Sequence, residues 1–248
     1  MAMPITLPTT KSEINSKWTD QKVGLIGASG IGKSTFFSYG DKTLYIQTEA
    51  GLNHLSVMKV PIRSFNDLKE LLTALIQADQ AKTFQYDCIV IDTIDELIDI
   101  INEEVVRRGR EKFTKIASEI NTIGDIPNGA GWSWNTELIK LTFDKLEKLP
   151  ACIAFVGHLE NKEVKTATDK FHKQTISIGG KTGLWLTAWA DHFLNIESTM
   201  NGSNFVRKVR TRPTQYVEAK SRGNMVPDGW QWADDMKLNY DKFRSLFK

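Results

Sequence analysis

Residues Gly27-Ala28-Ser29-Gly30-Ile31-Gly32-Lys33-Ser34 reproduce the spacing G-x-x-x-x-G-K-[ST], and an apolar run at 23–26 leads directly into them. Glycines at these places let the backbone turn its N–H groups inward around a phosphate, and a helix beginning near Lys33 adds its positive end. Lys33 is placed to reach β- and γ-phosphates, the Ser34 hydroxyl to ligate Mg²⁺, and Thr35 to follow on the same turn. The expected ligand is a nucleoside triphosphate, ATP with Mg²⁺.

Two carboxylates complete that chemistry. Asp92 ends the apolar run 88–91, where a strand's C-terminal edge can present it to Mg²⁺. Thr93 and Asp95 follow, and either can equally cap the next helix. Glu49 lies just beyond a second run, 44–47, beside the expected γ-phosphate, where a carboxylate can polarise an attacking water. Guanine recognition is disfavoured: Asp92-Thr93-Ile94-Asp95 lacks the glycine of a GTPase turn, and Asn161-Lys162-Glu163-Val164 lacks the base-reading aspartate.

Such residues need a scaffold that brings several strand ends to one edge. Short apolar runs alternate with longer helical ones, which predicts a mainly parallel sheet flanked by helices. Strands are expected at 22–27, 42–47, 88–91 and 151–156, and helices at 33–39, closed by Gly40, and at 66–80. Further helices are expected at 94–108 and 111–121, broken at Gly109, and at 136–148, with loops at 124–135 and 159–182. An apolar segment at 184–190 precedes a C-terminal hairpin, 191–197 with 204–210, turned by Asn201-Gly202, and a final helix is expected at 234–247. The domain reading is a tail or oligomerisation tether at 1–20, a core at 21–225 and a helical tail at 226–248 packed on the core.

The chain has 248 residues, 41% of them hydrophobic, enough for one α/β core, and no stretch has the length of a membrane span. Cys88 and Cys152 sit in apolar runs and read as core thiols of a reducing cytoplasm. Two cysteines and four scattered histidines offer no zinc spacing. A net charge of +2 is too mild to indicate a nucleic-acid partner without regard to where the basic residues lie.

The run Tyr45-Ile46-Gln47-Thr48-Glu49-Ala50-Gly51 resembles the segment of RecA/RadA-type recombinases whose glutamate activates the hydrolytic water. Ile178-Gly179-Gly180-Lys181-Thr182-Gly183-Leu184 and Ala190-Asp191-His192-Phe193-Leu194-Asn195-Ile196 look like that family's glycine turn, helix and final core strands. The layout over roughly 20–225 is similar to small phage-encoded RecA-like ATPases of single-strand annealing and recombination. The resemblance implies a RecA-like core, a catalytic role for Glu49 beside the phosphate-loop Lys33, and a γ-phosphate-sensing role for His158, which could equally be a histidine satisfied by a neighbouring loop. It also implies trans-acting roles for Lys220 and Arg222 across a subunit boundary in a ring or filament. Two departures stand out: Gln47 replaces an aspartate, and no N-terminal helical domain precedes the first strand, where Pro4-Ile5-Thr6-Leu7-Pro8 offers at most a short tether or a disordered tail.

In RecA-like proteins two loops line a DNA channel, and the stretches corresponding to them here are 124–135 and 159–182. The first carries Trp132 and Trp134; the second carries Lys162, Lys165, Lys170, Lys173 and Lys181 against three carboxylates, with Phe171 among them. Arg207, Arg210 and their neighbours add a basic stretch at 207–222. Lysines that contact phosphate beside aromatics that stack bases are the equipment of sequence-tolerant single-strand binding. The same lysines could equally be a solvated face, and the tryptophans could pack inward. The reading is a DNA-stimulated ATPase of the cytoplasm, or of the host cytoplasm if phage-encoded, with single-stranded DNA, further copies of itself and a single-strand-binding protein as partners. Its rivals are a small-molecule kinase and a nucleotide-gated adaptor in replication or packaging.

Overall fold

A computed structural model describes residues 7–165, 169–202 and 204–248. Residues 4–6 of the tether segment therefore lie outside the described residues. The strands are β1 (Lys22–Gly27), β2 (Thr43–Gln47), β3 (Met58–Pro61), β4 (Cys88–Asp92), β5 (Cys152–Gly157), β6 (Leu159–Lys165), β7 (Lys170–Ile176), β8 (His192–Asn201), β9 (Asn204–Arg210), β10 (Lys220–Ser221) and β11 (Trp230–Trp232). The helices are α1 (Lys33–Phe37), α2 (Phe65–Gln80), α3 (Ile94–Lys112), α4 (Ala130–Leu146), α5 (Gly180–Trp189) and α6 (Met236–Ser245).

The runs that are apolar throughout occupy the middle of the sheet, because a parallel strand covered on both faces has no solvent side to serve. Among the described residues the main sheet runs β11-β9-β8-β1-β5-β4-β2-β3, with β10 pairing β8. β1 lies parallel between β5 and β8, and β5 lies parallel between β1 and β4. This is the RecA-like P-loop layout: β1, which feeds the glycine-rich loop, stands one strand away from β4, which ends in Asp92. The antiparallel partners gather at the far edge, where β8 and β9 form the expected hairpin and β11 closes on β9.

Each face of the sheet has its own core. One packs Leu68, Leu72, Ile101, Ile139, Phe143 and their neighbours from α2, α3, α4 and α5 against the sheet. The other packs Trp18, Phe36, Phe37, Tyr240 and Phe243, so that α1 and the C-terminal α6 cover that side together. The α2 start is set by a capping box, Ser64 accepting from the Asp67 N–H while Asp67 accepts from the Ser64 N–H.

Several elements differ from the sequence reading for identifiable reasons. Gly109 does not break α3, which runs on to Lys112; a Cβ there would meet Ile126 Cδ1 at 2.8 Å, so the glycine serves close packing. Beyond it the expected helix at 111–121 is reduced to a turn at Thr114–Ile116. In the expected loop 124–135, Asn128 and Gly129 adopt positive φ (59° and 65°) and turn the chain into α4, which starts at Ala130 and carries both tryptophans. The expected loop 159–182 is the antiparallel hairpin β6–β7 followed by the first turn of α5, while 184–190 is the rest of that helix. The edge strand β3 was not expected, being four residues long with a proline at its end.

His192 shows how the fold handles a buried polar group. Its ring sits 3.0 Å from the Ser221 hydroxyl and 3.2 Å from the Gln21 amide oxygen. Burial pushes its pKa down to about 4, and the Lys220 and Arg222 cations push the same way. The folded value lies below the unfolded one, so this contribution is complete above the ordinary histidine pKa and is lost as pH falls toward 4. Its size is about 3 kcal/mol. His192→Gln is expected to flatten the acid limb of stability, so that urea unfolding between pH 7 and pH 4.5 changes by about 2 kcal/mol less than in the parent. An acid limb equal to that of the parent would show that His192 is not its source.

Candidate functional site

Between β1 and α1 the loop keeps its shape through two residues with positive φ, Gly30 at 73° and Gly32 at 103°, values that side chains disfavour. Gly27 is closely packed, since a Cβ would lie 3.0 Å from Ile31 Cγ2 and 3.3 Å from the Ile196 carbonyl oxygen, and Ile31 itself is buried beneath the loop. Lys33 Nζ donates to the carbonyls of Gly27 (2.9 Å) and Ala28 (3.0 Å), which folds the ammonium back into the cradle. Burial lowers the Lys33 pKa, and the carboxylates of Asp92, Asp95 and Glu49 oppose that shift. Because α1 has only five residues, its dipole adds little, and anion binding falls to the loop N–H groups and Lys33.

Asp92 is 1% exposed, and neither of its oxygens has a hydrogen-bond partner. Burial raises its pKa to about 6; the nearby Ser34 hydroxyl opposes this, without a hydrogen bond of full geometry, Glu49 adds to the rise, and Lys33 and His158 oppose it. A buried carboxylate with both oxygens free beside a hydroxyl is a set of hard oxygen donors suited to Mg²⁺, whose other positions water and phosphate would fill. Bound there, the ion would neutralise charge on the β- and γ-phosphates.

Glu49 is set by the turn after β2. Thr48 N–H donates to the Asp92 carbonyl (2.9 Å) and the Thr48 hydroxyl to the Thr93 carbonyl (2.8 Å), tying this turn to the end of β4. Arg63 donates to the Thr48 carbonyl (3.0 Å), and the Gln47 amide donates to the Glu49 carbonyl (2.8 Å). Gln47, the departure from the recombinase pattern, thus braces the residue that follows it by two. Across the site, Asp95 accepts from the His158 N–H (3.0 Å) and from the Ser177 hydroxyl, and lies 3.4 Å from His158 Nδ1. Asp95 therefore does not cap α3, and Thr93 takes the N-cap position without a side-chain bond.

These residues converge. Ser29, Gly30, Gly32, Lys33, Ser34, Thr35, Glu49, Asp92 and His158 line one cavity of about 270 Å³ at the C-terminal ends of the parallel strands. The AAA domain family profile matches residues 19–223. The chain belongs to this family. No curated protein matches the chain. Among solved structures, the flagellar accessory protein FlaH from Methanocaldococcus jannaschii aligns with it over 78% of each chain at 10% identity and a TM-score of 0.40.

The cavity is that of a P-loop ATPase of the AAA domain family, and it also takes in His54, Gly51, Leu55 and Thr93. His54 has no motif to announce it; the only signal was its place five residues after Glu49. The other nominated residues lie elsewhere. Lys162 faces Lys173 and Lys165 faces Lys170 across the β6–β7 ladder, with the two pairs on opposite faces of the hairpin. Trp132 is 61% exposed, whereas Trp134 stacks on Phe113 with Lys112 Nζ 4.9 Å from its ring. Arg210 pairs with Glu197 at 2.8 Å, and Arg207 lies over the Phe205 ring. Lys220 donates to the carbonyls of Thr187 (2.7 Å) and Ala188 (2.9 Å), and Arg222 bonds Asp191 (2.8 Å) and the Ala188 carbonyl. Both hold the end of α5 within their own chain, so acting on a neighbour would require leaving these partners.

A raised carboxylate pKa means that the folded, ligand-free protein binds this proton more tightly than the unfolded chain. The Asp92 contribution is therefore complete below the ordinary carboxylate pKa and is lost as pH rises through about 6. Asp92→Asn should remove that loss, stabilising the nucleotide-free protein by about 2 kcal/mol at pH 8 in urea unfolding. The same variant should lose Mg²⁺-dependent ATP hydrolysis about a hundredfold or more. A less stable variant at pH 8 would contradict the account of an uncompensated buried charge.

Proposed function

We propose that this ATPase couples its hydrolytic cycle to single-stranded DNA laid along the β6–β7 hairpin, in recombination or annealing and in a phage setting. The observation that carries the reading is the root of that hairpin. Ser177, just past β7, donates its N–H to the His158 carbonyl (3.0 Å) and its hydroxyl to Asp95, while Leu159 pairs with Ile176. His158 thus lines the cavity while its carbonyl holds the hairpin's root, and Asp95, which accepts from the His158 N–H and whose charge acts on Lys33, is bonded to the same root. Glu49 polarises the attacking water, and His158 senses whether the γ-phosphate is present.

The hairpin's own charges support the choice of ligand. Like charges directly opposite on neighbouring strands repel, and a polyanion lying across them relieves that repulsion. Phe171, on the face that carries Lys162 and Lys173, meets the half-exposed Tyr216 edge-on at 5.8 Å, offering aromatic surface beside the cations. From the hairpin the chain continues into a groove of about 950 Å³ that Trp132, Lys140, Gly180 and Lys181 help to line. Glu137 and Asp144 also line it, so the hairpin face with Lys162 and Lys173 is the stronger strand-binding surface.

Glu49→Gln is expected to lower kcat about a hundredfold or more while leaving KM for ATP nearly unchanged. Hydrolysis by the parent should rise with a single-stranded oligonucleotide, and moderate salt should abolish the rise. Lys162→Ala with Lys173→Ala should remove the stimulation and spare the DNA-free rate, with Lys33→Ala as the blank. A Lys33-dependent rate indifferent to DNA would end the DNA part of the reading.

A further inference from the structure

The five residues of α1 are too few to hold a helix by themselves, and yet the direction of that helix aims Lys33 and Ser34. The Tyr45 hydroxyl of β2 donates to the Ser34 carbonyl (2.6 Å), and further packing comes from the C-terminal segment. Phe36 stacks on Trp232 with ring centroids 4.7 Å apart and planes 9° apart, and meets Tyr240 and Phe243 edge-on. At the far end of the helix, a Cβ on Gly40 would lie 2.5 Å from the Tyr240 hydroxyl. At the near end, a Cβ on Gly32 would lie 2.7 Å from Met236 Cε, so the thioether methyl covers the loop glycine directly.

The corner that delivers Met236 is itself fixed. Asn239 exchanges two hydrogen bonds with the Ala233 backbone, at 2.9 and 2.8 Å, and Asp235 caps α6 by accepting from the N–H groups of Lys237 and Leu238. Asn239 Nδ2 also lies 3.7 Å from Met236 Sδ, which restrains the methionine's path toward the loop.

We infer that the segment from Trp230 to Ser245 is part of the nucleotide site, with Met236 as a positioning residue that holds the phosphate loop at Gly32. Met236 touches no reacting atom in this account; it keeps Gly32 and the first turn of α1 where the phosphates require them. Nucleotide binding and the docking of α6 are then reciprocally coupled, because each stabilises the loop conformation that the other needs.

The test separates positioning from general stability. Met236→Ala should raise KM for Mg·ATP about tenfold with kcat within about twofold of the parent, and Met236→Leu should restore most of the loss. Phe247→Leu serves as the control: Phe247 packs on Trp18 and His192 in the same core, and its truncation should lower the melting temperature without moving KM. An unchanged KM in Met236→Ala, or an equal rise in Phe247→Leu, would overturn the inference. Should Met236→Ala fail to fold, hydrogen exchange on the parent decides: Mg·ADP should slow the amides of α6 along with those of the phosphate loop, and α6 exchange indifferent to Mg·ADP would overturn it.

Discussion

A carboxylate buried without a donor is costly to a fold, and Asp92 is held in that condition at the end of a fully buried strand. Burial disfavours its charge, and the groups that favour that charge, Ser34, Lys33 and His158, do not fully offset the cost. The rest of the site is arranged around this point. The loop after β2 fastens to the backbone of Asp92 and Thr93 through Thr48, and that attachment places Glu49. Lys33 is drawn inward by the same carboxylate and by Asp95 and Glu49. A divalent cation supplied with a nucleotide would relieve the arrangement, and affinity for the loaded substrate and instability of the bare site would then have one cause.

The parts of this protein that were readable from sequence are those with a strong local signature. The fully apolar runs at 23–26, 88–91 and 151–156 could hardly be anything but central strands, and the glycine-lysine-serine spacing fixed where the first of them must deliver its loop. The hairpin β6–β7 was not readable, because its residues are mostly polar and it lacks an apolar face to alternate with a wet one. At 124–135 the glycines and proline were read as loop, but Gly131 is there because the helix packs on the Ile123 carbonyl. Gly109 misled in the same manner. Glycine marks both turns and close packing, and only the tertiary neighbour tells which.

The site residues divide along the same line. Lys33, Ser34, Asp92 and Glu49, which line one cavity, could be nominated because each sits at a fixed distance from a motif or a strand end. The residues that hold them do so from places distant in sequence: Arg63 braces the Thr48 carbonyl, Ser177 reaches Asp95, and Met236 covers Gly32. No spacing rule connects those pairs. Gln47 was visible as a departure from a pattern, and its amide turns out to have a task in the turn that it precedes.

The strand order also bears on how the chain comes together in time. β1 carries the phosphate loop early in the sequence, but its two sheet neighbours are β5 and β8, and the surface beneath α1 is finished by β11 and α6. Contacts between segments so far apart are slow to close, since the loss of chain entropy precedes the gain from packing. During synthesis the loop therefore emerges long before β5, β8, β11 and α6 can pack around it, and its full support arises late, nearly together with the completed sheet.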